Sequence, residues 1–389
     1  MTPREVPAAL RLAAFYLAYF AYVGAFTPYF PLYLSGRGLT PAELATVLAM
    51  PQLARVFAPT FWGWLADRHD ARRAVVVTSC AALAAGFAAI PFVPGFIGIT
   101  ALVATASVLS AGGLPLVEAI TLSTLAGRSG HYGPIRLWGS IGFIVAVLLV
   151  GAWLDDHAPA TLPTLLLGLA LAALAASVAL PVGGISPRTS DAGAGPGNFP
   201  ASAWALIGAG FCMAAAHGAL YAFLTLHLQR LGYSGKSIGA LWTLGVLAEI
   251  VVFLYLPALF RRFSLSTILL ASLLAAVVRF TAIGWAAAYL AVLVVAQLLH
   301  AATFGAFHAA SVAAVHRLFP ASAHARGQAL FSSLAYGGGG AAGALLAGWA
   351  WERGGPALTF SLAAGSAALG ASILLWLRPM KLYDALRVR

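Results

Sequence analysis

The sequence predicts an all-α, polytopic membrane protein with twelve transmembrane helices in two six-helix halves. Of its 389 residues, 61% are hydrophobic and only 8% are charged, whereas a soluble domain carries about 25% charged residues. Its apolar runs reach the roughly 20 residues that cross a bilayer, and they lack the strict alternation of barrel strands. Because lipid cannot satisfy backbone polar groups, these runs must be helices.

Twelve apolar spans follow one another, separated by short loops that hold most of the arginines. The first six cover residues 9–34, 41–65, 73–93, 96–125, 134–154 and 160–182. The last six cover residues 201–229, 235–259, 265–285, 287–317, 326–350 and 356–377. Between them, residues 183–200 form the longest polar segment, rich in Gly, Pro and Ser, which is typical of a flexible linker. We therefore predict domains at 1–182 and 201–389.

The net charge of +11 does not indicate nucleic-acid binding, because the basic residues are spread over short loops rather than gathered on one face. With both termini in the cytoplasm, sixteen of the 22 basic residues fall on the inner side and four on the outer side. The positive-inside rule favours this multi-pass topology, in a cytoplasmic (inner) membrane. Cys80 and Cys212 lie far apart without metal-ligand spacing, so we expect neither a metal nor a cofactor.

A glycine and four charged residues mark the loop between spans two and three: Gly63, Asp67, Arg68, Arg72 and Arg73. The pattern Gly-x-x-x-Asp-Arg-x-x-x-Arg-Arg resembles the cytoplasmic loop signature of the major facilitator superfamily. A glycine permits close helix approach, and an aspartate forms charge-assisted bonds to Arg or to a helix N-terminus. We expect a conformational latch here; an ordinary charged loop is the alternative.

The start of span five, residues 132–143, resembles the oligosaccharide:proton symporters and their 3-phenylpropionate permease relatives. In the lactose permease pattern an arginine at this point pairs with an acid eighteen residues earlier, and Glu118 stands at that distance from Arg136. The resemblance continues through the second half, at His217, Tyr221, Glu249, Arg279, His300 and His308. One departure is that the acid one turn after the span-ten histidine is replaced by residues such as Thr303 and Phe304.

Glu118 and Glu249 are the two acids well inside the predicted spans. Each costs about 2.5–3.5 kcal/mol at the bilayer centre, so such residues face a partner or an aqueous path. We predict that Glu249, Arg279 and His300 couple proton movement to transport, since a carboxyl that alternates between an apolar and a cationic environment exchanges its proton. The alternative for Glu249 is a static ion pair with Arg279 that fixes helix packing.

Solute binding is assigned to polar and aromatic residues within the spans, partly from the resemblance. Arg136 and Glu118 offer charge and hydrogen bonds, and tyrosine and phenylalanine rings stack on a ring of the solute. Packing within the protein is the alternative role for these rings and for the histidines. The predicted binding residues are Glu118, Arg136, Arg55, Tyr22, Phe143, His217, Tyr221 and His308.

The resemblance and the embedded charges together predict a functional monomer in the lipid bilayer that imports a small organic solute with protons by alternating access. Three embedded arginines against two glutamates suit an anion, with an aromatic carboxylate as the leading class. A sugar or nucleoside symporter, or a proton-driven exporter, is the alternative. An enzyme is not expected, because neither a P-loop nor a nucleophile elbow nor a zinc-protease motif occurs in the sequence.

Overall fold

A computed structural model describes residues 5–125, 132–181, 199–320 and 323–376. These residues form helices joined by short turns, with no strand among them. Eleven helical stretches of this described part are long and apolar enough to cross a membrane. The last stretch, His324–Trp376, is interrupted by the non-helical residues Gly354 and Gly355. Counting it as two helices confirms the predicted fold class of twelve transmembrane helices.

We number the helices α1 to α12 in chain order. The first half comprises α1 (Glu5–Gly36), α2 (Pro41–Arg68), α3 (Arg72–Ala89), α4 (Gly95–Leu125), α5 (Tyr132–Asp156) and α6 (Leu162–Val178). The second half comprises α7 (Ala201–Arg230), α8 (Gly235–Arg262), α9 (Leu265–Ala286), α10 (Leu290–Leu318), α11 (324–353) and α12 (356–376). The predicted linker lies outside the described residues except for Phe199 and Pro200.

Hydroxyl side chains fix several helix starts. Thr40 and Glu43 form a capping box at α2, in which the Glu43 N–H donates to Thr40 Oγ1 at 3.3 Å and the Thr40 N–H donates to Glu43 Oε2 at 2.9 Å. The hydroxyl of Ser234 accepts from the N–H of Ser237 at the start of α8, at 3.2 Å. Such caps satisfy backbone donors that the helix itself leaves unpaired.

Two helix pairs approach each other closely through glycine. A Cβ at Gly142 of α5 would overlap the backbone of Leu17 in α1, and one at Gly24 would overlap Phe143. In the second half, Gly343 of α11 lies in the same way against Ala215 of α7. Small residues at helix contacts are typical of membrane proteins, because they allow extensive packing without a hydrophobic driving force. This packing holds α5 beside the aromatic face of α1.

The two halves meet at one end of the molecule. We call it the Arg-poor end; its loops are 37–40, 90–94, 157–161, 231–234, 287–289 and 354–355. There a Cβ at Gly151 of α5 would overlap Gly235 of α8, and one at Gly348 of α11 would overlap Ala45 of α2. At the opposite, Arg-rich end, residues 113–125 and 307–318 find their main packing partners within their own half. The path between the halves is therefore closed at the Arg-poor end.

Two helices of the second half contain π-helical turns, at Ala301–Ala306 in α10 and at Ser332–Gly339 in α11. Such turns widen the backbone ring and are frequent at functional sites. The second turn includes the Gly337–Gly340 run. Gly337 lies against Val56 of α2, and Gly339 against the backbone of Phe211 in α7, so this run allows tight helix contact.

Candidate functional site

The pairing of Glu118 with Arg136 that the family resemblance implies is present. Arg136 Nε lies 3.9 Å from Glu118 Oε1, and the two side chains are 30% and 39% exposed. The Arg136 guanidinium also lies over the rings of Phe20 and Tyr16, at 4.1 and 5.4 Å from their centroids. The cation is held loosely between an acid and two rings, and water or a solute can reach it.

Aromatic rings of α1 pack together beside this pair. Tyr22 stacks against Phe26 at 5.7 Å between ring centroids and lies 5.6 Å from Phe87 of α3. Tyr22 is only 7% exposed, so in this conformation it packs rather than presenting a surface. Phe143 is half-buried. Of the two predicted aromatic contacts in this half, Phe143 is the more accessible.

Arg55 lies in the middle of α2 and is exposed. Its Nη1 donates to Gln52 Oε1, one turn earlier, at 3.3 Å. In the part of the chain that the structure describes, Arg55 forms no ion pair with a carboxylate. This guanidinium thus retains most of its donor groups for another acceptor.

Arg279 of α9 is 1% exposed. Its Nε donates to the Ala296 carbonyl at 2.8 Å, and its Nη2 donates to Gln297 Oε1 at 3.0 Å. Its Nη1 donates to Thr303 Oγ1 at 3.0 Å and lies 3.4 Å from His217 Nε2. All four partners are neutral acceptors. Thr303, at the place where the resemblance leads us to expect an acid, supplies a hydroxyl instead.

Two histidines lie beside Arg279. His217 Nδ1 is 2.9 Å from the Met213 carbonyl, so that nitrogen carries the proton and Nε2 is left to accept from Arg279. The His300 ring lies 5.9 Å from that of His217 and stacks on Phe304 at 5.3 Å. His300 is buried, and its Nδ1 has no hydrogen-bond partner among the described residues.

Glu249 of α8 is half-buried and faces α10. A Cβ at Gly305, inside the π-helical turn, would lie 3.0 Å from Glu249 Cγ, and one at Gly245 would lie 3.3 Å from His300 Cδ2. Among the described residues no ion pair joins Glu249 to Arg279, the alternative assignment; Nε, Nη1 and Nη2 of Arg279 contact neutral acceptors instead.

The last two predicted binding residues connect different helices. The Tyr221 ring of α7 stacks against Trp242 of α8 at 6.2 Å and lies 6.1 Å from His217. His308 Nδ1 lies 2.8 Å from the Tyr336 hydroxyl. This hydrogen bond joins α10 to the π-helical turn of α11.

The predicted latch residues lie at the end of α2 and the start of α3, on either side of the short loop 69–71. Arg72 donates to Asp67 Oδ1 from Nη2 at 2.8 Å and from Nε at 3.1 Å. The Arg73 Nη1 donates to the Leu180 carbonyl at 3.5 Å, and Arg68 lies over the Trp64 ring at 5.5 Å. A Cβ at Gly63 would meet nothing within 4 Å, so no helix approaches this glycine closely in this conformation.

Sequence reasoning missed the neutral partners of the charged groups. Gln297 and Gln52 are amides within apolar spans, and such isolated polar residues are a usable signal for buried networks. Tyr336 could not be singled out, because nothing in the local sequence distinguishes it from a packing tyrosine. Its partner His308 comes from another helix.

Comparison with known proteins gives consistent likenesses. The "MFS_1 like family" model matches residues 9–362. The probable 3-phenylpropionic acid transporter of Escherichia coli (strain K12) is 31% identical over 335 residues, 84% of this chain and 87% of that protein. The maltose permease of Geobacillus stearothermophilus is 34% identical over 158 residues, 39% of each chain.

Solved structures share the fold. A crystal structure of the nucleoside transporter NupG superposes with a TM-score of 0.81 at 17% identity, covering 95% of this chain and 98% of that chain. The human organic anion transporter MFSD10 superposes with a TM-score of 0.62 at 18% identity, covering 96% of this chain and 100% of that chain. At these identities the likeness concerns the arrangement of the helices alone.

Proposed function

Because the chain belongs to the MFS_1 like family of major facilitator transporters, we propose that it is a proton-coupled symporter for a small aromatic carboxylate. Its secondary-transporter character follows from the family; the solute, the proton and the direction are the proposal. The solute enters the path between the halves, and alternate opening of the two ends carries it inward.

One observation carries the choice of an anion: two arginines within the spans have only neutral hydrogen-bond partners. Nε, Nη1 and Nη2 of Arg279 donate to neutral acceptors, and Arg55 is exposed with one amide as its partner. A cation inside a membrane protein without a counter-ion is costly, and a carboxylate that enters the path supplies one. Arg55 is the group that the carboxylate meets directly, because its donors are free of acidic partners.

The rest of the solute is assigned to the rings beside the path. Phe143 and Tyr221 are half-buried, and we assign their rings to offset stacking on an aromatic solute, which is a favourable arrangement. The relative whose printed name is probable 3-phenylpropionic acid transporter matches 84% of this chain. We take an aryl-substituted short-chain carboxylate as the solute class.

Proton coupling is assigned to Glu249 and His300. Both lie at the contact of α8 with the π-helical turn of α10, and neither has an ion-pair partner within the described ranges. A titratable group beside a deformable helical turn links its protonation to helix shape, since the charged form demands a polar surrounding. Arg279 Nη1 lies 3.4 Å from Nε2 of His217, and the His217 ring lies 5.9 Å from that of His300. The positive charge of Arg279 therefore disfavours protonation of both histidines.

The arginine distribution orients the transporter. The Arg-rich end is assigned to the cytoplasm by the positive-inside rule, with both termini there. The structure, closed at the Arg-poor end, is then the inward-open state. With this orientation the Asp67–Arg72 pair lies on the cytoplasmic side, as the latch proposal requires. We also propose that the functional unit is a monomer.

Uptake into liposomes tests the solute and the proton together. Purified protein is reconstituted, and uptake of labelled 3-phenylpropionate is measured with and without an inward proton gradient. We expect accumulation above the outside concentration only with the gradient, and competition by other aromatic carboxylates. If unlabelled maltose or a nucleoside competes and aromatic carboxylates do not, the anion assignment is wrong.

The Glu249→Gln variant tests the proton site separately. Glutamine keeps the shape of the side chain but cannot release a proton, so we expect gradient-driven accumulation to fall by at least an order of magnitude, as for removal of a proton-transfer group. Exchange of internal for external solute at equal pH should remain. Glu43→Gln, an acid of the α2 capping box, is the matched control. Accumulation at the wild-type level in Glu249→Gln would contradict this assignment.

A further inference from the structure

Two carboxylates bridge the halves at the Arg-poor end. Asp155, at the end of α5, accepts hydrogen bonds from the backbone N–H of Gly235 and, at 3.1 Å, from that of Lys236. Glu352, at the end of α11, accepts from the N–H of Ala42 at 3.0 Å. Each bond joins residues from different halves, unlike the other helix caps described above.

The two contacts repeat each other with the halves exchanged. Asp155 comes from the first half and caps the start of α8, whereas Glu352 comes from the second half and caps the start of α2. The first N–H groups of a helix have no partner within it, and its N-terminus favours negative charge. Each carboxylate therefore does for the opposite half what an N-cap residue does for its own helix.

Tight backbone packing surrounds both bonds. Gly151, one turn before Asp155, lies against Gly235, and Gly348, one turn before Glu352, lies against Ala42 and the Pro41 carbonyl. The carboxylates themselves are exposed. When the ends separate, water can replace the protein donors, so the bonds are able to break and re-form at moderate cost.

We propose that Asp155 and Glu352 are gating residues that hold the Arg-poor end of the transport path closed. Their bonds exist only while the halves are in contact there, so they stabilise the closed end relative to the open one and add nothing to the open state. The inference rests on alternate opening of the two ends, as in the proposed function, but on neither the solute nor the proton. By analogy with N-caps, removing one carboxylate raises the ratio of open to closed ends roughly fivefold, and removing both raises it about twenty-five-fold if the sites are independent.

Pulsed electron paramagnetic resonance measures this ratio without solute or gradient. Cys80 and Cys212 are replaced by serine, and spin labels are attached in lipid nanodiscs to cysteines at Ala160 and Leu231, exposed positions on the two halves at the Arg-poor end. A second pair, at His69 and Arg317, reports on the Arg-rich end. In Asp155→Asn with Glu352→Gln we expect a longer distance to grow at the first pair while the second pair shortens.

Two matched variants separate gating from general effects of charge. Glu43→Gln removes an acid that caps its own helix, and Asp156→Asn removes the carboxylate next to Asp155. Neither should shift the distances. The proposal is overturned if the double variant keeps the wild-type distances, if a control shifts them equally, or if the first pair lengthens without shortening of the second. That last result would mean local loosening rather than movement of the halves. Because no solute is present, these results are independent of the uptake assay.

Discussion

Arg136 and Arg279 are both cations within the spans, but their surroundings are opposite. Arg136 in the first half is 30% exposed, lies 3.9 Å from an acid and stacks over two rings. Arg279 in the second half is 1% exposed and donates only to neutral groups. One guanidinium is held loosely with a partner of opposite charge, the other rigidly without one.

The surroundings of Arg279 suit a structural role, and those of Arg136 suit ligand binding. A buried guanidinium requires acceptors for its whole fork, and once they are in place it cannot exchange partners cheaply. A half-exposed one is partly solvated, so a solute can compete with Glu118 for it. We infer that the second half supplies a fixed electrostatic framework and the first half supplies an exchangeable contact.

Replacing Arg279 should produce the largest effect and would break the comparison most directly. Arg279→Ala leaves the acceptors of Gln297 and Thr303 buried without their donor, and we expect a loss of about 3 kcal/mol of stability, with loss of transport. The measurement is the midpoint of thermal unfolding in detergent. Arg279→Lys, which keeps the charge but not the fork, should fall between wild type and Arg279→Ala. Equal midpoints for all three proteins would show that the network contributes no stability.

Replacing Arg136 should have the converse result. Because the pair with Glu118 is partly exposed, Arg136→Ala should change the stability of the solute-free protein by no more than about 1 kcal/mol. It should, however, abolish stabilisation by solute, which in wild type amounts to about 2.7 kcal/mol at 100 times the dissociation constant. Thermal shift with and without 3-phenylpropionate measures both quantities. A ligand-induced shift equal to that of wild type would remove Arg136 from the binding site.

Arg55 combines one property of each of these arginines: it is exposed, like Arg136, but among the described residues it has no acidic partner, like Arg279. If it receives the carboxylate, Arg55→Gln should weaken binding of an aromatic carboxylate roughly tenfold or more, the value of a charge-assisted hydrogen bond. Arg55→Lys should retain part of the affinity. Binding of the corresponding uncharged amide should be unaffected by either change, and calorimetry with both ligands tests this. Equal losses for acid and amide would indicate a change of shape at the site rather than of charge.

The sequence predicted what depends on periodicity and spacing. Span eight, placed at 235–259, is α8 at Gly235–Arg262, because an apolar run of that length has no alternative in lipid. The contact of Glu118 with Arg136 is implied by the family resemblance. The span depends on a short apolar stretch of chain, whereas the contact joins two helices and is expected only from the resemblance.

Contacts between distant helices could not be predicted in the same way. The sequence offered Glu249 as a possible partner of Arg279, but Gln297 and Thr303 take that role, since both come from α10, which packs directly on α9. The bonds of Asp155 and Glu352 require knowing which helices of the two halves meet. Neither side chain differs in its local sequence from an ordinary acid in a loop.

The smallest expected effect concerns the bond between His308 and Tyr336, which connects α10 to the π-helical turn of α11. It lies within the half that we describe as the fixed framework, yet both partners are half-buried, so it tests how far that rigidity extends. Tyr336→Phe removes one neutral hydrogen bond and should cost about 1 kcal/mol, seen as a slightly lower unfolding midpoint. If the bond belongs to the framework, the solute dissociation constant should stay unchanged while stability falls. A weaker affinity with unchanged stability would place His308 among the exchangeable contacts. The fixed framework would then not include all of the second half, because part of α10 would belong to the exchangeable contacts.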